Sequence, residues 1–235
     1  MTDVWVSWSG GKDAATALAA ARASGLRVTG LLCTVSVPEG AVDGAAEVPI
    51  HGVPEVLLAA QAAALGLPLH RVVLPPRCPD VRYREAVRTA LAGARDAGVT
   101  RLVCGDLALA DVRAFRESVL DGTGVAGEFP LWRSDGTAGT AELAREMIDG
   151  GLRAVVVAVD PARVPAELAG RPFDHDLLAA LPEGVDPCGE NGEFHTFVTR
   201  GPGFAHEVPV TVGGTRERDG HVQVVPAPAG RAPAG

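Results

Sequence analysis

The chain carries one lysine against twenty arginines, and that lysine lies in Ser9-Gly10-Gly11-Lys12-Asp13. A composition rich in Ala, Gly, Pro and Arg explains the scarcity by codon usage, but not the position. An ammonium is a compact, flexible point charge where a guanidinium is a planar fork, so the retained lysine marks a place that needs the former. Two adjacent glycines let backbone amides close on an anion with no Cβ in the way. The turn then runs into a predicted helix, whose free N–H groups and dipole favour phosphate. Ser9, Gly10, Gly11, Lys12 and Asp13 are therefore candidates for gripping a phosphate chain, with Asp13 placed to hold Mg²⁺ or to orient the lysine. The string is not a Walker A loop: the required Gly and Ser/Thr positions hold Val6 and Asp13.

A second cluster, Asp186-Pro187-Cys188-Gly189-Glu190-Asn191-Gly192-Glu193-Phe194-His195-Thr196-Phe197, packs carboxylates, an amide, a thiol and an imidazole between glycine turns. Asn191-Gly192 alone reads as a hairpin turn, but a turn needs no such density of titratable groups. Glu190, Glu193 and His195 are candidates for general-base work. A Cys188 nucleophile with His195 as base would need an oxyanion hole, and no signal for one accompanies it. Asp174-His175-Asp176 is read more cheaply as a helix cap than as a metal site. Gly122-Thr123-Gly124-Val125-Ala126-Gly127 matches a dinucleotide-binding string literally, but it follows a helix where a strand is required. His51, in a loop before a helix, is neutral.

The elements that must position these residues alternate. Val4–Trp8 reads as a strand, Lys12–Ser24 as a helix, Arg27–Val35 as a buried strand and Ser36–Ile50 as a loop. Pro54–Leu65 is a helix, Leu69–Leu74 a strand, Pro79–Asp96 a helix, Leu102–Cys104 a strand and Ala108–Leu120 a helix. Such alternation implies an α/β fold, a parallel sheet with helices on both faces. Gly122–Gly139 reads as irregular, Ala141–Asp149 as a helix, Leu152–Val159 as a strand and Asp174–Leu181 as a helix. Short strands follow over Phe194–Val225, with turns at Gly201-Pro202-Gly203 and Gly213-Gly214. The expected division is a nucleotide-binding domain over 1–135, a smaller α+β region over 136–225, and a disordered tail over 226–235.

With 235 residues, 47% hydrophobic and 21% charged, the chain is that of a globular protein with a sizeable core. A net charge of −8 argues against general binding along a nucleic-acid backbone. No apolar run reaches membrane-spanning length, and no basic segment precedes the first apolar residues, so neither a membrane span nor a signal peptide is expected. Four scattered cysteines without a C-x-x-C pair point to a reduced, cytoplasmic setting and away from zinc.

Ser9-Gly10-Gly11-Lys12-Asp13 directly after a first strand resembles the signature of the PP-loop ATP pyrophosphatases, which hold the β,γ-pyrophosphate of ATP and release it intact. The Asp186–Phe197 string closely resembles the C-terminal motif of the diphthine–ammonia ligase family, a branch of those enzymes. The likeness runs over most of residues 4–204 and takes in His51-Gly52-Val53, Gln61, Leu65-Gly66-Leu67-Pro68 and Cys78-Pro79. It also takes in Gly105-Asp106, Arg113, Arg116-Glu117 and Pro130-Leu131-Trp132.

The resemblance implies a PP-loop fold, Rossmann-like, with the active site between it and the C-terminal region. It implies ATP and Mg²⁺, and a carboxylate, small or protein-borne, activated as an acyl-adenylate that ammonia or an amine attacks. Carried over, Ser9, Gly10, Gly11, Lys12 and Asp13 would bind pyrophosphate, with Lys12 and Asp13 catalytic. Gly105 and Asp106 would join them at the carboxyl end of the fourth strand, where open α/β sheets bind ligands. Cys188, Gly189, Glu190, Asn191, Gly192 and Thr196 would face substrate, and Glu190, Glu193 or His195 would deprotonate the amine.

The family string usually continues SGGKDS; here Ala14 follows Asp13, and Thr16 lies two residues farther round the helix. A PP-loop tRNA-modifying enzyme would bring a basic face or an RNA-binding addition and usually a cysteine pair, which this chain lacks. A nucleotide sensor without turnover is the other alternative, argued by Ala14. The oligomeric state is open, a homodimer being one option.

Overall fold

Val4 and Val6 are fully buried and Trp5 nearly so, as residues of a central parallel strand must be. They belong to β1 (Asp3–Ser7), and a computed structural model describing residues 2–38 and 45–230 places that strand in the middle of a sheet. β1 pairs in parallel with β2 (Arg27–Ser36) on one side and β6 (Arg101–Val103) on the other. Beyond them lie β5 (Leu69–Leu74) beside β2 and β7 (Ala126–Glu128) beside β6, both parallel. Two short antiparallel strands, β3 (Glu47–Val48) and β4 (Val53–Pro54), extend from the end of β2.

Helices α1 (Lys12–Ala23) and α2 (Glu55–Leu65) pack in one apolar layer; α3 (Asp80–Asp96) and α4 (Ala110–Leu120) pack in a second with Trp5, Leu32 and Val72. The expected α/β sheet with helices on both faces is therefore present. α5 (Thr140–Asp149) leads into a second sheet, wholly antiparallel. It comprises β8 (Arg153–Val159), β9 (Phe194–Arg200), β10 (Val210–Arg218) and β11 (His221–Pro228), in the order β10-β11-β8-β9. α6 (His175–Ala180) lies between β8 and β9, and the Asp174 side chain accepts the Leu177 amide at 2.8 Å, the cap expected there.

Four local expectations need correction. The stretch read as irregular contains β7, only three residues long and without apolar alternation, held by pairing with β6. Ser36–Ile50 holds β3, although residues 39–44 lie outside the described residues. Gly213-Gly214 is not a turn but a register shift inside β10; the hairpin turns at Asp219-Gly220, both at positive φ.

The tail is also ordered farther than its composition implies, since β11 runs to Pro228. Residues 231–235 lie outside the described ones. Ala229 N–H donates to Pro209 O, so the alternation directs Pro226 and Pro228 away from β10, and β8 pairs with β11 only at Val222 and Gln223. No ladder bond is lost at either proline.

One side chain joins the two sheets. Gln61 is fully buried; its Oε1 accepts Trp8 Nε1–H at 2.9 Å, and its Nε2 donates to Gly10 O at 3.0 Å and Val198 O at 2.6 Å. Gln61→Leu conserves volume but leaves buried polar groups unsatisfied, each worth roughly 1–3 kcal/mol. Urea unfolding is expected to show a loss of about 3 kcal/mol; a loss under 1 kcal/mol would mean that Gln61 does not couple the sheets.

Candidate functional site

The glycine turn is shaped by close packing as well as by the need for bare amides. Gly10 sits at φ +81°, and a Cβ there would lie 2.8 Å from Leu58 Cδ2. At Gly11 a Cβ would lie 3.2 Å from Thr196 O. Gly105 is glycine for a related reason: its Cβ would approach the Asp13 carbonyl carbon to 2.7 Å. The end of β6 thus lies directly against the start of α1, which brings Asp106 beside the turn.

Lys12 is the first residue of α1 and its side chain is buried. Nζ donates to Asp13 Oδ1 at 3.0 Å, to Asp13 Oδ2 at 2.8 Å, and to the Cys188 carbonyl. The rings of Phe194 and Phe173 lie 5.5 and 5.8 Å from it. Burial works against the charge, but Asp13, and more weakly Glu190, hold the ammonium above the ordinary lysine range. Burial raises the Asp13 carboxyl, with Lys12 opposing and Asp186 adding. The Lys12 backbone N–H donates to Thr196 Oγ1 at 3.1 Å, tying the helix start to β9.

Asp106 is nearly buried. Arg116 Nε donates to its Oδ1 at 2.8 Å, and its Oδ2 makes no hydrogen bond although it lies 2.6 Å from the same nitrogen. Glu190 Oε1 accepts three amides, from Leu107, Ala108 and Leu109. Burial raises the Glu190 carboxyl, and those three amides pull it back.

These groups surround a cavity of about 190 Å³ lined by Ser9, Gly11, Lys12, Asp13, Gly105, Asp106, Gly189, Glu190, Gly192, His195 and Thr196. Most of the candidates from both sequence clusters therefore meet in one place. A larger cavity of about 790 Å³ shares Ser7, Ser9, His51 and Arg116 with it. Its walls are largely apolar, with Trp8, Leu32, Leu74 and Phe115 among them, and Arg216 and Arg218 also line it. Both arginines pair with Glu47, which ties the β10–β11 hairpin to β3.

Four candidates do not line the smaller cavity. Gly10 points inward, its carbonyl bonded to Gln61 and Val198. Glu193 is fully buried: Oε1 accepts from Asp186 N and Asn191 Nδ2, Oε2 from Asn191 N, and Arg163 pairs with Oε1 at 3.2 Å. It holds the loop and is not free to take a proton from a ligand. The Cys188 thiol points to Thr140 O at 3.3 Å, and burial pushes it up to about 12, far from a thiolate. The Asn191 side chain is spent on Glu193. Asp186 completes the scaffold, accepting from Thr140 Oγ1 at 2.7 Å and from Cys188 N at 2.8 Å.

His195 does line the smaller cavity, and it has company that no sequence motif announces. Its ring lies 4.3 Å from that of His51 and 5.7 Å from that of His221. The three histidines come from the loop before β4, from β9 and from β11, so only the assembled sheets collect them. Burial first, then His51, His221 and Lys12, holds His195 well below its ordinary range. Burial brings His51 down to about 4, with Lys12 and His221 assisting and the Pro49 carbonyl opposing.

Both imidazoles are neutral in the folded state, while the unfolded chain binds protons at an ordinary pKa of about 6.5. Their contribution is thus complete above that value and is lost as pH falls toward 4. For His51 the loss by pH 4 is about 3 kcal/mol. Urea unfolding between pH 7 and 4 is expected to show a slope that His51→Gln flattens. An unchanged slope would remove the assignment.

A parallel sheet with a glycine–lysine turn at the end of its central strand, flanked by helices and followed by an antiparallel sheet, is consistent with a PP-loop fold. Residues 139–223 match the family model described as the diphthamide synthase C-terminal domain, a segment that includes the Asp186–Phe197 loop and His221. The match covers about a third of the chain and likens that part to enzymes of the diphthamide synthase type. No helix among the described residues is long and apolar enough to cross a membrane.

Proposed function

We propose that the chain is an ATP-dependent, adenylate-forming ligase that joins ammonia or an amine to a carboxylate. The observation that carries the reading is the convergence of the Ser9–Asp13 turn, Asp106 and the C-terminal loop on one cavity that opens beside a larger, mostly apolar one. The small cavity suits phosphates, being walled by a buried ammonium and a helix start. The larger one has the size and apolar lining of a small-molecule site.

In the first half-reaction a carboxylate oxygen attacks the α-phosphate and pyrophosphate leaves. In the second the amine displaces AMP from the acyl carbon, giving the amide and losing one proton. Lys12 and the loop amides serve by fixed charge and positioning. His195, neutral and at the cavity wall, is the best-placed of the proposed proton acceptors.

The fit for Mg²⁺ rests on Asp13 and Asp106, two carboxylates that line the same cavity, one with a buried oxygen lacking a hydrogen bond. Mg²⁺ binds through one or two carboxylates together with substrate phosphates. Once bound, the ion would neutralise phosphate charge. A second reading, a nucleotide sensor without turnover, is favoured by Ala14, which lines the phosphate cavity without a hydroxyl.

Incubation with ATP, Mg²⁺, ammonium and a panel of carboxylic acids tests both readings. AMP and pyrophosphate are expected. ADP and phosphate would overturn the ligase reading, and tight binding without product would favour the sensor.

A further inference from the structure

Glu190 stands where a base would be sought, but its surroundings are those of a clamp. Its Oε1 accepts three successive main-chain N–H groups, from Leu107 at 3.1 Å, Ala108 at 2.8 Å and Leu109 at 3.2 Å. These amides belong to the turn that enters α4, the last of them on its N-cap residue, Leu109, which has no side-chain acceptor of its own. Helix starts leave such donors open unless something caps them, and a carboxylate is the favoured partner of the helix dipole. Here the cap comes from the opposite part of the chain.

The capped segment is the one that carries Asp106. At its near end Gly105 lies against the backbone of Asp13 and Ala14, and at its far end Leu107–Leu109 hang on Glu190. Asp106, between the two anchors, lines the phosphate cavity, as does its partner Arg116. The Glu190 loop is itself fixed, since Glu190 N–H donates to Asp186 Oδ1 at 3.3 Å and the Cys188 carbonyl receives Lys12 Nζ. One short loop therefore reaches both walls of the cavity.

We propose that Glu190 is a positioning residue: its carboxylate caps α4 and, by fixing residues 105–109, sets the Asp106 wall of the phosphate site. Three hydrogen bonds to one oxygen favour the ionised carboxylate, as a cap requires, and work against the burial that raises it. The capping role belongs to the fold, and only the nucleotide readouts rest on the ligase reading.

Glu190→Gln retains an oxygen that can accept the amides; Glu190→Ala does not. Hydrogen exchange at Leu107, Ala108 and Leu109 in the full chain is measured together with MgATP affinity and pyrophosphate release. The Ala variant is expected to exchange these amides at least about tenfold faster and to bind MgATP about tenfold more weakly. The Gln variant is expected to keep the protection and to lose far less pyrophosphate release than the Ala variant. Loss of release in Glu190→Gln with protection intact would identify a base and overturn the capping role. Unchanged exchange in Glu190→Ala would overturn it directly, whether or not ATP is the ligand. Should the Ala variant fail to fold, the Gln variant decides between cap and base.

Discussion

Lys12→Ala is expected to lower pyrophosphate release from ATP on the order of 100- to 1000-fold, the range seen when one preorganised charge donor is removed from a closed site. The ammonium lines the smaller cavity, the proposed phosphate site, with its three donors directed to Asp13 Oδ1, Asp13 Oδ2 and the Cys188 carbonyl. Nothing else within the Ser9–Asp13 turn carries a positive charge. Lys12→Arg is expected to fail nearly as badly. A planar fork needs a wider berth than the space between Phe173, Phe194 and the Cys188 carbonyl gives a compact head. Pyrophosphate release and calorimetric binding of MgATP check the effect, with circular dichroism confirming that each variant is folded. Unchanged release in Lys12→Ala would remove the lysine from the mechanism.

The second large effect concerns stability. Glu193→Ala strips the hub of the 186–194 loop and abandons the Asp186 amide together with both Asn191 donors. The expected loss on urea unfolding is about 3–4 kcal/mol, with Glu193→Gln losing less because an amide oxygen still accepts. Activity measured well below the melting temperature should then recover in the Gln variant. A stable Glu193→Ala protein with abolished turnover would return Glu193 to the chemistry. Full stability in that variant would show that the loop is held by something else.

Much of this was legible in the sequence, for identifiable reasons. Strand and helix alternation is written in apolar runs and in Pro and Gly punctuation, which local sterics enforce. The Ser9–Asp13 string singles itself out because a lone lysine, two glycines and a helix start converge on five residues, and those residues do line one cavity apart from Gly10. Tertiary pairing was not legible. β7 exists because β6 offers it an edge, and Gly213-Gly214 stays in a strand because β11 continues past it. Glu190 and Glu193 look equivalent in sequence, yet one lines the cavity and the other is enclosed by its own loop. His221 was invisible, since it acquires significance only when the antiparallel sheet brings it beside His195.

The hydrogen bonds at Gly10 bear on how the chain can be divided. Its carbonyl accepts from Gln61 and from Val198, the latter on β9 some 190 residues downstream by chain position, a span far beyond local contact. The curvature of the glycine turn is thus set partly by a strand synthesised much later in the chain. A fragment ending near residue 135 would retain every signature residue of the grip and still lack the strand that shapes it. In this architecture the proposed nucleotide site depends on the C-terminal sheet as much as on the glycine turn. Swapping the C-terminal sheet for another would retune the turn itself, rather than simply exchange what it is pointed at.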